Sequence, residues 1–175
     1  MSDVNNIDMF KNDVRYRENI AHVETIPAKK ASFRKVDNLN EKNVQYLNSK
    51  DVKLYKHQAE TYEATQRGEH VIITSPSASG KTLAFNLPIM ETMIEDKDAT
   101  ALYIYPAKAL SNDQLHVLEN LEGELDINIK PRTYDGDTPR TEKRGIREKS
   151  RIVLTNPYQL HLILSWHHQW SRFYR

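Results

Sequence analysis

The chain has 175 residues, enough for one domain with a real core, with 38% apolar and 28% charged residues. It holds no cysteine and no run of about 18 apolar residues, which excludes a disulfide framework, a cysteine-ligated metal within the chain and a membrane-spanning helix. The formal net charge of +1 does not announce a nucleic-acid binder, so any such case must come from local pattern.

Residues 1–50 are polar, with Val23, Ile26 and Phe33 scattered among Lys, Glu and Asn. They read as an extended or partly helical leader without the basic-then-apolar order of a secretion signal. Residues 51–67 read as a helix stopped by Gly68. The β-branched run 70–74 (HVIIT) reads as a buried strand, and 80–95 as an apolar helix that a strict rule would end or kink at Pro88. A second strand is expected at 101–105 (ALYIY), then a helix at 108–121 with Leu110, Leu115, Leu118 and Leu121 along one side. A weaker strand at 127–134, a charged helix at 139–149, a fourth strand at 152–155 (IVLT) and a helix opening at 157–166 complete the series. Strands alternating with helices predict right-handed crossovers and a mostly parallel sheet with helices on both faces.

Residues 75–82 (SPSASGKT) lie between the first strand and its helix. The phosphate loop G-x-x-x-x-G-K-[ST] is matched at Gly80, Lys81 and Thr82, while Ser75 stands at the first glycine. A loop ending at a helix N-terminus presents backbone N–H groups and the positive end of the dipole to an anion. Gly80 admits close approach of phosphates to the backbone, Lys81 places an ammonium on the β- and γ-phosphates, and Thr82 offers a hydroxyl to Mg²⁺. The alternative is an ordinary surface turn, and the strand-loop-helix context argues against it.

YKHQ at 55–58 followed by SPSASGKT resembles the Q motif and motif I of superfamily 2 DEAD/DEAH-box helicases. YPAKAL (105–110) resembles motif Ia, DGD (135–137) the short acidic-glycine element, and TNP (155–157) motif Ib, all in the family's order. The wording is closest to a branch of DNA-repair helicases, the YprA/MrfA-like group. The resemblance covers about 50–175 and implies an incomplete RecA-like domain behind the 1–50 leader. It implies ATP and Mg²⁺ as cofactors, with Tyr55, Gln58, Ser77, Ala78, Ser79, Gly80, Lys81 and Thr82 around the nucleotide and Gln58 reading adenine. Lys81 and Thr82 carry the catalytic expectation. It places Pro106, Lys108, Asp135, Gly136, Thr155, Asn156 and Pro157 against nucleic acid, with single-stranded DNA as track, 3′–5′ polarity, a monomeric chain and a cytoplasmic location. It also implies that the acidic D-E-x-H element, its sheet strand, a second RecA-like domain with an arginine finger and a zinc module belong beyond Arg175, so that this stretch alone lacks turnover. Members tolerate proline at the place of Pro88 and small residues at that of Ser75.

Arg140, Lys143, Arg144 and Arg147 form a basic stripe at helical spacing, which reads first as a solvated face because Glu142 and Glu148 share the helix. His161, His167 and His168 with Trp166 and Trp170 match no zinc spacing and read as packing residues. The competing readings are another phosphate-loop NTPase or a small-molecule kinase, which leaves YPAKAL and LTNP unexplained, and a non-catalytic nucleotide-binding scaffold.

Overall fold

The computed structural model describes residues 6–24 and 30–174. They fall into two compact units, Met1–Ala31 and Ser32–Arg175. The first holds α1 (Asn6–Asn12) and α2 (Val14–Arg17), the latter capped by the Asp13 carboxylate, which accepts from the Arg15 N–H at 2.9 Å. Ile26 of the leader lies outside the described residues.

The second unit runs α3 (Glu41–Ser49), α4 (Lys56–Gln66), α5 (Lys81–Glu95), β1 (Ala101–Ile104), α6 (Lys108–Glu124), β2 (Arg132–Thr133), α7 (Arg140–Lys149), β3 (Ile152–Thr155) and α8 (Pro157–Leu164), then a 3₁₀ turn at His167–Trp170. The three strands are parallel in the order β1-β3-β2, with Leu102 opposite Val153 and Arg132 also opposite Val153. β3 is central and buried along its whole length, which is why IVLT is an unbroken apolar run rather than an alternating one. Successive residues of β3 serve opposite faces. Ile152 and Leu154 pack with Met90 and Met93 of α5 and Leu118 and Leu121 of α6. Val153 packs with Ile146 of α7, Ile163 of α8 and Trp170. Helices therefore cover both faces of a RecA-like sheet, as the alternation of elements predicts. Each fully buried aliphatic side chain contributes about 1.5–3 kcal/mol.

Three expectations need correction. Residues 70–74 form no strand: Ile72 is 90% exposed, and a cleft of about 420 Å³ separates His70, Val71 and Ile73 from Thr100 and Ala101. A β-branched run makes a strand only where a neighbour accepts its hydrogen bonds, and across this cleft β1 is out of reach. The expected strand at 127–134 shrinks to Arg132–Thr133. Lys130 has φ +46°, Pro131 has no N–H, and the Ile129 and Lys130 N–H groups both donate to Glu122 Oε1 at 2.8 Å, which takes them out of any ladder. The helix expected over 51–67 begins only at Lys56, and ends as expected with Gly68 at φ +75°.

α5 runs unbroken through Pro88. The lost hydrogen bond and ring clash of an internal proline cost about 3 kcal/mol. Burial of Ala84, Asn86, Leu87, Met90, Glu91 and Met93 on the same helix offsets that. The Glu91 carboxylate accepts from the Asn40 N–H at 2.7 Å and Asn43 Nδ2 at 2.6 Å, tying α5 to the start of α3.

Arg151, the residue before β3, sets the direction of α5. Its guanidinium donates to the carbonyls of Met93 (3.0 Å) and Asp96 (2.5 Å) at the end of α5, and to Ala99 (3.1 Å) and Asn128 (3.3 Å). The C-terminus of α5 is thereby fixed at the N-terminal end of the sheet, and its first turn at the opposite edge. Arg151→Met leaves these carbonyls without their donor in a buried place. The expected loss is about 2–4 kcal/mol, read as a lower urea midpoint with an unchanged slope. A loss under about 0.5 kcal/mol would show the clamp to be dispensable.

Candidate nucleotide and nucleic-acid site

Parallel strands end on one edge, and an open α/β sheet binds its ligands there. Three segments lie at this edge, the Tyr105–Pro106 turn after β1, the Asp135–Gly136 turn after β2 and Asn156 after β3; the first turn of α5 is directed toward the same edge, and the start of α4 is joined to it through Gln58.

The loop before α5 turns through two left-handed residues, Ala78 at φ +57° and Gly80 at φ +80°. Gly80 suits this corner through its positive φ, and a side chain there would also displace the Gln58 amide. An L side chain is strained at that φ, and a Cβ there would sit 2.5 Å from Gln58 Nε2. Ser75 Oγ and Ser79 Oγ lie 2.6 Å apart and close the loop on itself. Ser77 is exposed and Thr82 half-buried in the first turn of α5. The Lys81 ammonium donates to the carbonyls of Ser75 at 2.8 Å and Pro76 at 2.7 Å. Carbonyls are weak partners for a full positive charge, so a phosphate oxygen competes for it on favourable terms.

Gln58 is 2% exposed. Its Nε2 donates to the Gly80 carbonyl at 2.9 Å and its Oε1 accepts from the Tyr55 N–H at 2.8 Å. The side chain thus fastens the start of α4 to the phosphate loop, a part the sequence did not show. The Tyr55 ring stacks between Phe33 (5.2 Å, 19°) and His57 (5.8 Å, 10°). Phe33 joins Tyr55 through an antiparallel bridge. Its place beside Tyr55 was not legible in the sequence, where it is one aromatic in a polar leader 22 residues upstream.

At the other strand ends, Lys108 opens α6 and pairs with the Asp137 carboxylate, joining the segments after β1 and β2. This ion pair raises the Lys108 pKa above its ordinary value. Asp135 Oδ1 accepts the Asp137 N–H at 2.9 Å, which shapes the turn around exposed Gly136. Asn156 caps α8, with Oδ1 accepting the Gln159 N–H at 2.8 Å, and Pro157 takes the first helical position. Pro106 is exposed beside them. Thr155 differs: it is buried, and its hydroxyl donates to the Tyr134 carbonyl at 2.7 Å, so its side chain bolts β3 to the end of β2 and is not on the surface. Among the described residues no three His, Asp or Glu side chains cluster as a metal site, His161, His167 and His168 included.

A parallel α/β sheet with helices on both faces and a lysine-bearing loop at the N-terminus of α5 has the architecture of a phosphate-loop domain. The model of the DEAD/DEAH box helicase family matches residues 55–174, and the chain belongs to that family. It is 36% identical over 158 residues to the uncharacterized ATP-dependent helicase YprA of Bacillus subtilis (strain 168), covering 89% of this chain and 21% of YprA. It is 33% identical over 170 residues to the ATP-dependent helicase HRQ1 of Saccharomyces cerevisiae, covering 95% of this chain and 16% of HRQ1. Helicase MrfA, solved bound to DNA and AMPPNP, superposes with a TM-score of 0.80 at 37% identity over 84% of this chain and 21% of that one. The chain thus spans about a fifth of the length of these relatives. The resemblance drawn from the motifs is borne out.

Proposed function

We propose that the chain is the ATP- and nucleic-acid-binding part of an ATP-dependent superfamily 2 helicase that moves 3′–5′ on DNA. The observation that carries this is that α5, held by Arg151 at its C-terminal end, turns its Lys81 loop toward the same sheet edge as the Lys108–Asp137 turn. Nucleotide bound at the first can then be felt by a strand held at the second. The likeness to YprA, HRQ1 and DNA-bound MrfA supports the choice of a helicase over a kinase or a scaffold.

In this reading Lys81 and the N–H groups of 77–82 hold the phosphates, and the Thr82 hydroxyl meets Mg²⁺ carried on them. Lys108, Pro106, Gly136 and Asn156 border the phosphodiester path, with Asp137 setting how strongly Lys108 attracts it. Contacts of this kind position a strand without reading its sequence. Single-stranded DNA as track, a monomeric chain and a cytoplasmic site of action belong to the same proposal. No helix among the described residues is long and apolar enough to cross a membrane.

Adenine selection falls to Gln58. An amide has two N–H donors and two acceptor lone pairs. One of each is spent on Gly80 and Tyr55, which leaves one of each for a base edge. Paired amide–base contacts are worth about 1–3 kcal/mol, or roughly 5–150-fold. In competition against a fluorescent ATP analogue, ATP should displace at least about five-fold better than GTP, and Gln58→Ala should narrow the gap. Equal competition by GTP removes Gln58 from the adenine site.

A further inference from the structure

α7 and α8 enclose a groove of about 470 Å³ that the strand-end site does not use. Its walls include Arg140, Lys143 and Arg147 on one side, Trp166 and Trp170 on the other, and Tyr134 at the base.

The three cations recur at i, i+3 and i+7, which puts them on one face of α7 in a row rising about 4.5 and then 6 Å along the axis. The charge on that face is not neutralised from within. Glu148 turns away to take the Arg144 Nε at 2.7 Å, and no carboxylate of the described residues pairs with Arg140, Lys143 or Arg147. Two of the three are already held in place. Lys143 Nζ sits 5.3 Å from the Tyr134 ring centroid, and Arg147 Nη1 donates to the Tyr134 hydroxyl at 3.2 Å. Side chains so held lose little further freedom on meeting a ligand.

The aromatic wall is uneven. Trp170 is buried edge-on against Tyr134 at 4.7 Å, whereas Trp166 is 59% exposed. An exposed indole facing a row of unpaired cations suits a ligand that brings both anions and flat rings. Position agrees with this: α7 starts just after the Asp135–Gly136 turn and α8 just after Asn156, so the groove opens from the edge where the strand-end site lies.

We propose that this groove is a second seat for single-stranded nucleic acid, in which Arg140, Lys143 and Arg147 take successive phosphates and the Trp166 indole stacks on a base. The inference rests on the reading of the chain as nucleic-acid-binding and extends the track from the strand ends down the face of the domain. Stacking on aromatic side chains tolerates any base, as a motor track requires.

The test titrates labelled oligo-dT of increasing length into the 175-residue chain, following anisotropy, salt dependence and tryptophan emission. Trp166 and buried Trp170 are its two tryptophans, so quenching by the oligonucleotide reports Trp166. Quenching is expected above a threshold length and is lost in Trp166→Phe. Arg140→Gln/Lys143→Gln/Arg147→Gln should reduce the slope of log K against log salt by about 2, at about 0.7 per phosphate on a single strand. Arg140→Gln with Trp166→Phe leaves both Tyr134 contacts intact and should still weaken binding about ten-fold or more. Lys108→Ala should weaken binding while leaving the quench at saturation. An oligonucleotide that binds with no quench, and with an unchanged slope in the triple variant, overturns the groove and leaves the strand-end reading standing. Polyglutamate that binds as tightly and quenches Trp166 as well makes the groove a seat for acidic peptide and overturns the inference. Failure of every oligonucleotide to bind the wild-type chain overturns the nucleic-acid reading, and the groove with it.

Discussion

Purified as these 175 residues, the protein is expected to release phosphate from ATP no faster than its Lys81→Ala variant, with or without single-stranded DNA. Phosphoryl transfer to water needs the γ-phosphate held, Mg²⁺ positioned, the water oriented and the developing charge stabilised. Lys81 and Thr82 supply the first and part of the second. No Asp-Glu pair occurs in the sequence, so the D-E-x-H element that orients water in relatives has no counterpart in it. The carboxylates at the strand ends are engaged elsewhere: Asp137 with Lys108, and Asp135 with the Asp137 N–H. Glu91 of α5 is buried, its carboxylate accepting from Asn43 Nδ2 of α3. Charge stabilisation by an arginine finger, worth about 10³–10⁵ in rate, comes from a second domain in this family. Steady-state phosphate release decides the matter. Robust turnover that vanishes in Lys81→Ala would show that these 175 residues carry a water-orienting group of their own.

The second large effect is on nucleotide affinity. Lys81→Ala should weaken binding of a fluorescent ATP analogue by about 10–150-fold, the worth of one hydrogen bond from a charged donor at about 1.5–3 kcal/mol. The fold should be untouched. Among the described residues the ammonium bonds only to Ser75 and Pro76 of its own loop, and neither core cluster of the sheet includes Lys81. An unchanged urea midpoint with lost affinity is the expected pair of results. Equal affinity in the two forms would take the phosphates away from this loop.

The alternation of apolar runs with helical spacing was enough to establish a parallel α/β sheet covered on both faces, because each residue of IVLT is apolar or able to bury its one hydroxyl. SGKT after a β-branched run was enough to place a turn into a helix, with Gly80 at its left-handed corner and Lys81 and Thr82 in the first turn. Tertiary structure decided the rest. It left 70–74 unpaired, since a strand is a property of two segments and the cleft beside β1 keeps this one without a partner. It turned Thr155 inward, because the C-terminal residue of a central strand still faces the sheet's buried side. It coupled Gln58 to Gly80 and Lys108 to Asp137 across separations of 22 and 29 residues, which no local pattern records. It also set Trp166 across from Arg140, Lys143 and Arg147. In the sequence that row of cations reads as a solvated face, and only the packing of α7 and α8 on the same side of β3 makes it the wall of a groove.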